Sequence, residues 1–167
     1  MGLPYLADTR FEGGPLALGL MLSSFGAGAV AGALLAGSLR HVPRLGLVVL
    51  LIAMVLGVAQ VLVGVAPNVW VAMVIGTGIG LGVGFLNVRV IAWLQARTPA
   101  AMRGRVMSLI MLSGVGMAPF SLAISGAIID LGAVTLAFAV AGAIIFVAAL
   151  AGLASGIPRL MTDEQAA

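Results

Sequence analysis

The fold is decided by residues 70–112, which read WVAMVIGTGIGLGVGFLNVRVIAWLQARTPAAMRGRVMSLIML. The stretch begins with an apolar run of membrane-spanning length, in which glycines alternate with larger residues from Gly76 to Gly84. Asn87 and Arg89 lie near the end of that run, a basic turn follows, and a second apolar run begins. This order predicts a glycine-packed helix, a basic turn and a second helix as one unit.

The composition indicates that lipid is the solvent of this chain. It has 167 residues, of which 62% are hydrophobic and 8% charged. A soluble domain carries about 25% charged residues. A soluble fold of this size could not cover so much apolar surface, so we expect an all-α polytopic membrane protein with the lipid bilayer as its partner.

The charge pattern argues against a nucleic-acid partner, although the formal net charge is +3. The basic residues lie in the gaps between apolar runs and form no patch. A membrane protein places its orientation signals in such gaps. The chain has no cysteine, which excludes disulfides and thiolate metal ligands.

Five apolar runs predict five transmembrane helices joined by short turns. We expect a polar entry at residues 1–14, a helical bundle at 15–155 and a cytoplasmic tail at 156–167. The second and fifth helices are almost uniformly apolar, and we expect them to face lipid at the periphery. The predicted helices cover residues 15–39, 45–66, 69–95, 105–130 and 133–155.

The arginines predict the orientation of the bundle. The turns after the first and third helices and the tail hold six of the eight arginines; of the other two, Arg10 precedes the first helix and Arg89 lies within the third. Since positively charged loops stay in the cytoplasm, we expect the N-terminus outside and the C-terminus inside. The residues on the cytoplasmic side are Arg40, Arg44, Arg97, Arg103, Arg105 and Arg159.

Helical spacing gives the third helix two smooth faces. At about 100° per residue, one face carries alternate glycines and Asn87, and the opposite face carries the other glycines and Arg89. In lipid, small residues let helix backbones approach closely, and the first helix has its own small-xxx-small pair. We therefore expect helix packing at Gly28, Gly32, Gly76, Gly80 and Gly84.

Arg89 and Asn87 are the polar groups within a span that could carry function. Ionisable residues inside a span are functional candidates by default. The alternative for Arg89 is a structural arginine that snorkels to the interface. The alternative for Asn87 is an interhelical hydrogen bond that holds the bundle.

Catalytic chemistry has no support in the sequence. The alternating glycines are not a dinucleotide fingerprint, because they lie inside one apolar run with no preceding strand. The single histidine, His41, lies in a loop, so an intramembrane serine would have no base. There is no carboxylate pair and no metal-ligand cluster. We expect no catalytic residue, no metal, no cofactor and no enzyme activity.

The loop at residues 95–109 carries the most specific motif. Gln95 and Pro99 are followed by Arg103-Gly104-Arg105-Val106 and then by Ser108-Leu109. This pattern resembles the loop between the tenth and eleventh helices of major facilitator superfamily transporters. It is most similar to bacterial drug and siderophore exporters related to the enterobactin exporter, a branch that Asn87 also fits.

The resemblance implies that the five helices correspond to family helices eight to twelve, a partial C-terminal half of a twelve-helix transporter fold. Leu3–Leu6 then resembles the outer end of the seventh helix. The turn after the first helix departs from the family pattern, since His41 lies near the position of the signature aspartate. The implied substrate-cavity residues are Asn87, Arg89, Ser121 and Ser125, and the implied cytoplasmic loop motif is Pro99, Arg103, Gly104 and Arg105.

Two functions follow as hypotheses. The first is a fragment of a secondary active transporter in the bacterial inner membrane. It would export small amphiphilic compounds or siderophores, and it would be inactive without the missing N-terminal half or self-association. The alternative is a small five-span membrane protein that acts as an assembly or partner subunit and transports nothing.

Overall fold

The computed structural model describes residues 14–39, 44–130 and 134–155, with backbone alone at 14, 115, 117–118, 120–130 and 134. The predicted polar entry up to residue 13, the basic turn with Arg40 and His41, and the tail lie outside the described residues. The described residues contain no strand and form five α-helices, which confirms the all-α prediction. The helices are α1 (Gly14–Ser38), α2 (Leu45–Gly64), α3 (Val69–Arg97), α4 (Arg103–Asp130) and α5 (Val134–Ala154).

Four of these helices are long and apolar enough to cross a membrane, judged by length and composition. The qualifying segments lie in α1, α2, α3 and α5. The chain is therefore a polytopic membrane protein. α4 is not among the four in the part of the chain that the structure describes, and its C-terminal half is described by backbone alone. A fifth span at α4 stays a prediction.

The helices pack as two close pairs. α1 lies along α3, and α2 lies along α5. A smaller contact between α2 and α3 joins the two pairs, whereas α4 contacts mainly α5 and the short 3-10 turn at Ala100–Met102. The core therefore lies within and between the pairs. Of the described helices, α4 makes the least extensive contact with the others.

Small side chains fill the interior, and many large apolar side chains point outward. Leu16 is 72% exposed and Val74 is 74% exposed. Lipid chains are as apolar as leucine, so outward leucine and valine cost nothing in a bilayer, while small residues gain close backbone packing. The buried apolar residues are Ala17, Met21, Ala36, Val63, Ala66, Ala72, Phe138 and Ala149.

The turn between α2 and α3 is short and well capped. α2 ends at Gly64, and α3 begins at Val69 after the Pro67-Asn68 dipeptide. The side-chain oxygen of Asn68 accepts a hydrogen bond of 2.9 Å from the backbone N–H of Val71. Asparagine at this position satisfies one of the unpaired donors of the first helical turn. Because a short connection makes neighbouring helices antiparallel, α2 and α3 run in opposite directions.

Candidate functional site

The backbones of α1 and α3 touch each other where glycines face peptide groups. A Cβ added at Gly80 would lie 2.9 Å from the Ala29 nitrogen and 3.0 Å from the Phe25 carbonyl carbon. A Cβ added at Gly28 would lie 2.9 Å from the Thr77 carbonyl carbon. Side-chain movement cannot relieve such clashes, because the atoms met belong to the backbone. Each helix thus supplies glycines that admit the peptide groups of the other.

The same contact continues toward the C-terminal ends of the two helices. A Cβ at Gly32 or at Gly84 would lie 2.8 Å from a carbonyl carbon, that of Leu81 or of Ala29 respectively. At the other end the fit is looser, since a Cβ at Gly76 would lie 3.5 Å from the Ser24 hydroxyl oxygen. The close approach therefore runs from Thr77 to Gly84 on α3 and ends about one turn before Asn87.

The opposite face of α3 meets α2 and borders a groove. A Cβ at Gly82 would lie 2.9 Å from Leu56 Cδ2, whereas a Cβ at Gly78 would meet nothing within 4 Å. The space at Gly78 belongs to a cavity of about 470 Å³ between α1, α2 and α3. All of its lining residues are apolar, and they include Leu39 at the end of α1 and Phe85 of α3.

Arg89 ties α3 to the end of α1. Its Nη2 donates a hydrogen bond to the carbonyl oxygen of Leu39, the residue directly after α1. Its guanidinium lies 5.9 Å from the centre of the Phe85 ring. The last carbonyls of a helix lack intrahelical partners and carry partial negative charge, so a cation there stabilises by about 0.3–1 kcal/mol. Arg89 therefore has a structural role at this helix end.

One nitrogen of Arg89 has no partner within the described residues. Its Nε is buried and makes no hydrogen bond there. A buried donor without a partner costs about 1–3 kcal/mol. The residue as a whole is half-buried. Arg89 thus donates a hydrogen bond to the end of α1 and keeps an N–H group that has no partner among the described residues.

The side chain of Asn87 is exposed on α3. Within the described part of the chain it makes no hydrogen bond, so an interhelical bond to α1 or α2 is not seen there. Ser121 and Ser125 belong to the backbone-only part of α4, and their side chains lie outside the described residues. The four predicted cavity residues are therefore not brought together as a described site.

The basic loop between α3 and α4 is an ordered turn. Pro99 precedes the 3-10 turn, and the Arg103 Nε donates a hydrogen bond of 3.1 Å to the Thr98 carbonyl oxygen. Gly104 and Arg105 are exposed at the start of α4. Arg103 thus closes the turn on itself, and Arg105 faces outward.

Two further contacts hold this end of α3. The Arg97 guanidinium lies 4.5 Å from the centre of the Trp93 ring. The Gln95 side-chain nitrogen lies 3.8 Å from the Met107 sulfur and links α3 to α4. Cation–π contacts with tryptophan contribute about 0.5–1 kcal/mol at exposed sites. The sequence motif marked the loop, but the Gln95–Met107 link had no signal in the spacing.

A second glycine contact joins α2 to α5. A Cβ at Gly57 would lie 2.8 Å from the Gly142 carbonyl oxygen and 3.0 Å from the Phe146 nitrogen. Sequence reasoning expected both helices at the periphery facing lipid, and each does expose one face, with Val55 67% exposed and Val147 60% exposed. Their other faces pack together through Gly57 and Gly64 of α2 and Gly142 and Gly152 of α5. The signal in the sequence is the seven-residue spacing of Gly57 and Gly64, which places both on one face of α2.

Metal and acid–base chemistry have no framework among the described residues. No group of three or more histidine, cysteine, aspartate or glutamate side chains lies close enough there to hold a metal ion. What the described residues do supply is a bundle of closely packed helices with polar groups at one end of α3.

A model of the family described as transmembrane secretion effector, which is of the major facilitator superfamily type, matches residues 2–167. No curated protein and no solved structure matches the chain.

Proposed function

The chain belongs to the family of transmembrane secretion effectors, of the major facilitator superfamily type, and we propose on this premise that it forms part of a secondary active exporter. Its substrates would be small amphiphilic compounds or siderophores, and its location the bacterial inner membrane. Substrate class and direction of transport rest on the resemblance of the loop at residues 95–109 to the enterobactin exporter branch.

The observation that carries the proposal is a set of small-residue faces that nothing in the described structure covers. A Cβ added at Gly19, Gly26 or Gly37 of α1 would meet nothing within 4 Å. The same holds at Gly114 and Gly116 of α4. In a membrane protein, small residues are enriched where another helix backbone approaches. These faces support the proposal that further helices pack against α1 and α4.

Transport requires such helices. Alternating access is the rocking of one helical bundle against another about a site near the bilayer midplane. The described residues form one bundle, whose α1 and α4 each present an uncovered small-residue face. We propose that this bundle is the C-terminal part of a transporter, that the other bundle lies against these faces, and that residues 1–167 alone do not transport.

Within this proposal the polar residues have different roles. Asn87 is the first candidate for substrate contact, because its exposed amide has no hydrogen bond among the described residues. Arg89 is a positioning residue, because it holds the end of α1 through the Leu39 carbonyl. Ser121 and Ser125 enter as cavity residues through the family resemblance alone.

The proposed orientation places the arginine end of the bundle in the cytoplasm. Arg44 precedes α2, Arg97 ends α3, and Arg103 and Arg105 begin α4, so all four lie at the same end of the antiparallel helices. Positively charged short loops face the cytoplasm. The N-terminus of α1 would then lie outside.

The proposal is tested by export from an efflux-deficient bacterial host. The chain is expressed together with the proposed second bundle, and accumulation of a fluorescent amphiphile is compared for this parent protein, its Asn87→Ala variant and an exposed control on the same helix, Val74→Ala. We expect the parent and the control to lower accumulation and Asn87→Ala to lower it less at equal protein level.

Two results would count against the proposal. Equal export by the parent protein and Asn87→Ala would remove Asn87 from the substrate path. Absence of export by the parent protein across several amphiphiles would overturn the transport function and would favour an assembly or partner subunit.

A further inference from the structure

We propose that the groove between α1, α2 and α3 binds one acyl chain of an anionic phospholipid, whose phosphate lies at the guanidinium of Arg89. The proposal concerns a lipid site on the side of the bundle and is independent of whether the chain transports anything. Three observations carry it: the lining of the groove, the unused donors of Arg89, and the charge at this end of the bundle.

The groove has the chemistry and the reach of an acyl-chain site. Its volume is about 470 Å³, and all of its lining residues are apolar. On α3 it extends from Gly78 to Phe85, about 10 Å at roughly 1.5 Å per residue. That is about a third of a hydrocarbon core of about 30 Å, so the groove covers much of one leaflet. No side chain fills the groove at Gly78, because a Cβ there would meet nothing within 4 Å.

Arg89 lies at the end of the groove where a headgroup would be. The groove ends at Leu39 and Phe85, and Arg89 contacts both of them, the first by a hydrogen bond and the second by its guanidinium face. A guanidinium has five N–H donors in a fork that matches phosphate. Among the described residues Arg89 donates a hydrogen bond through Nη2, its Nε donates none, and the residue is half-buried and not fully enclosed.

The charge at this end favours an anionic partner. Arg44 is exposed at the start of α2, which borders the same groove, and Arg97, Arg103 and Arg105 lie at the same end. The only carboxylate residue within the described ranges, Asp130, lies at the opposite end of α4. Basic pockets between membrane helices bind anionic headgroups. A zwitterionic headgroup would gain little from this arrangement.

The test measures lipid contact at the groove with brominated lipids, which quench nearby tryptophan fluorescence. The chain has two tryptophans, Trp70 and Trp93. The groove reporter is Phe85→Trp with both native tryptophans changed to Phe, which keeps an aromatic ring under Arg89. The reference reporter is native Trp70 with Trp93→Phe, because Trp70 is 68% exposed at the other end of α3. Both are reconstituted in phosphatidylcholine vesicles with a small fraction of brominated phosphatidylglycerol or brominated phosphatidylcholine.

We expect the quenching of the groove reporter to correspond to a local fraction of brominated phosphatidylglycerol about fivefold above its bulk fraction. At Trp70 we expect no enrichment of this lipid. Brominated phosphatidylcholine should show no enrichment at either position. Arg89→Gln should remove the enrichment, and Arg89→Lys should retain part of it. Gly78→Leu should fill the groove and lower quenching, whereas Gly19→Leu, in open space at the far end of α1, should not change it.

Three outcomes would overturn the proposal. Equal quenching by the two headgroups at the groove reporter would mean that no anionic lipid is selected. Enrichment of brominated phosphatidylglycerol that persists in Arg89→Gln would mean that a residue other than Arg89 selects the anionic headgroup. Loss of the enrichment on adding millimolar inorganic phosphate at constant ionic strength would identify a general anion site without a bound acyl chain. Circular dichroism of Arg89→Lys and Arg89→Gln verifies that both variants keep the helix content of the parent protein, so that unfolding is recognised.

Discussion

Replacing Gly80 by alanine should separate α1 from α3 and destabilise the bundle. The added Cβ would lie 2.9 Å from the Ala29 nitrogen and 3.0 Å from the Phe25 carbonyl carbon, and it would also meet the Phe25 carbonyl oxygen. An ordinary carbon contact needs about 3.5–4.0 Å. The helices would therefore have to move apart by at least about 0.5 Å, because backbone atoms cannot rotate away.

The expected cost follows from that separation. Overpacking a well-fitted contact by one methyl group costs typically about 1–3 kcal/mol. Alanine has a better helix propensity than glycine by about 0.8–1.0 kcal/mol, which offsets part of the cost. The matched control is Gly19→Ala on α1, where the same Cβ would meet nothing within 4 Å. The control should be neutral or stabilising.

The assay is reversible unfolding of the purified protein in mixed micelles with increasing denaturing detergent, followed by circular dichroism. We expect the free energy of unfolding to fall for Gly80→Ala relative to Gly19→Ala by about 1–3 kcal/mol. Equal free energies of unfolding for the two variants would mean that the glycines of α3 do not form the contact with α1.

Three more predictions can be tested with the same cysteine-free chain. Asn68→Cys should react with an impermeant maleimide added outside the cell and Arg97→Cys should not; the reverse pattern would invert the proposed orientation. Gly57→Ala should destabilise the α2–α5 contact by about 1–3 kcal/mol in the unfolding assay while Gly78→Ala does not, and equal effects would contradict the backbone contact at Gly57. Arg89→Gln should lower the free energy of unfolding by about 1–3 kcal/mol through loss of a charged hydrogen bond to the end of α1, with partial rescue by Arg89→Lys; an unchanged value would remove Arg89 from that role.

The helices of this chain could be read from the sequence because lipid makes the pattern simple. A span must be long and apolar, so its ends are marked by prolines, asparagines and arginines. α3 is predicted to end at Gln95 and ends two residues later, at Arg97. The family match confirms that the chain is of the major facilitator superfamily type, the superfamily that the loop at residues 95–109 resembles.

The contacts between helices were harder to predict, because periodicity gives a face but not the neighbour that covers it. The regular spacing of Gly76, Gly80 and Gly84 indicated a packed face, and only the structure shows that α1 covers it. Gly57 and Gly64 of α2 lie on one face at a seven-residue spacing, but that spacing does not show that α5 lies opposite them. A lone glycine in an apolar run looks the same whether it faces lipid or backbone.

The polar site shows the same limit. The sequence marked Arg89 as an unusual charge within a span and left open whether its role is structural. Its bond to Leu39 joins residues 50 positions apart in the chain, and such a contact depends on how α1 and α3 cross. The groove beside it depends on the spacing of three helices, which the sequence pattern of any one of them does not contain.

We propose that the described bundle transports only when it packs against further helices. The decisive measurement is export by residues 1–167 expressed by themselves. The chain is expressed by itself in an efflux-deficient host, its presence in the membrane is verified, and accumulation of fluorescent amphiphiles is measured against an empty vector. We expect accumulation equal to that of the empty vector. Lower accumulation than the empty vector, lost again in Asn87→Ala at equal protein level, would show that these helices suffice and would contradict the claim.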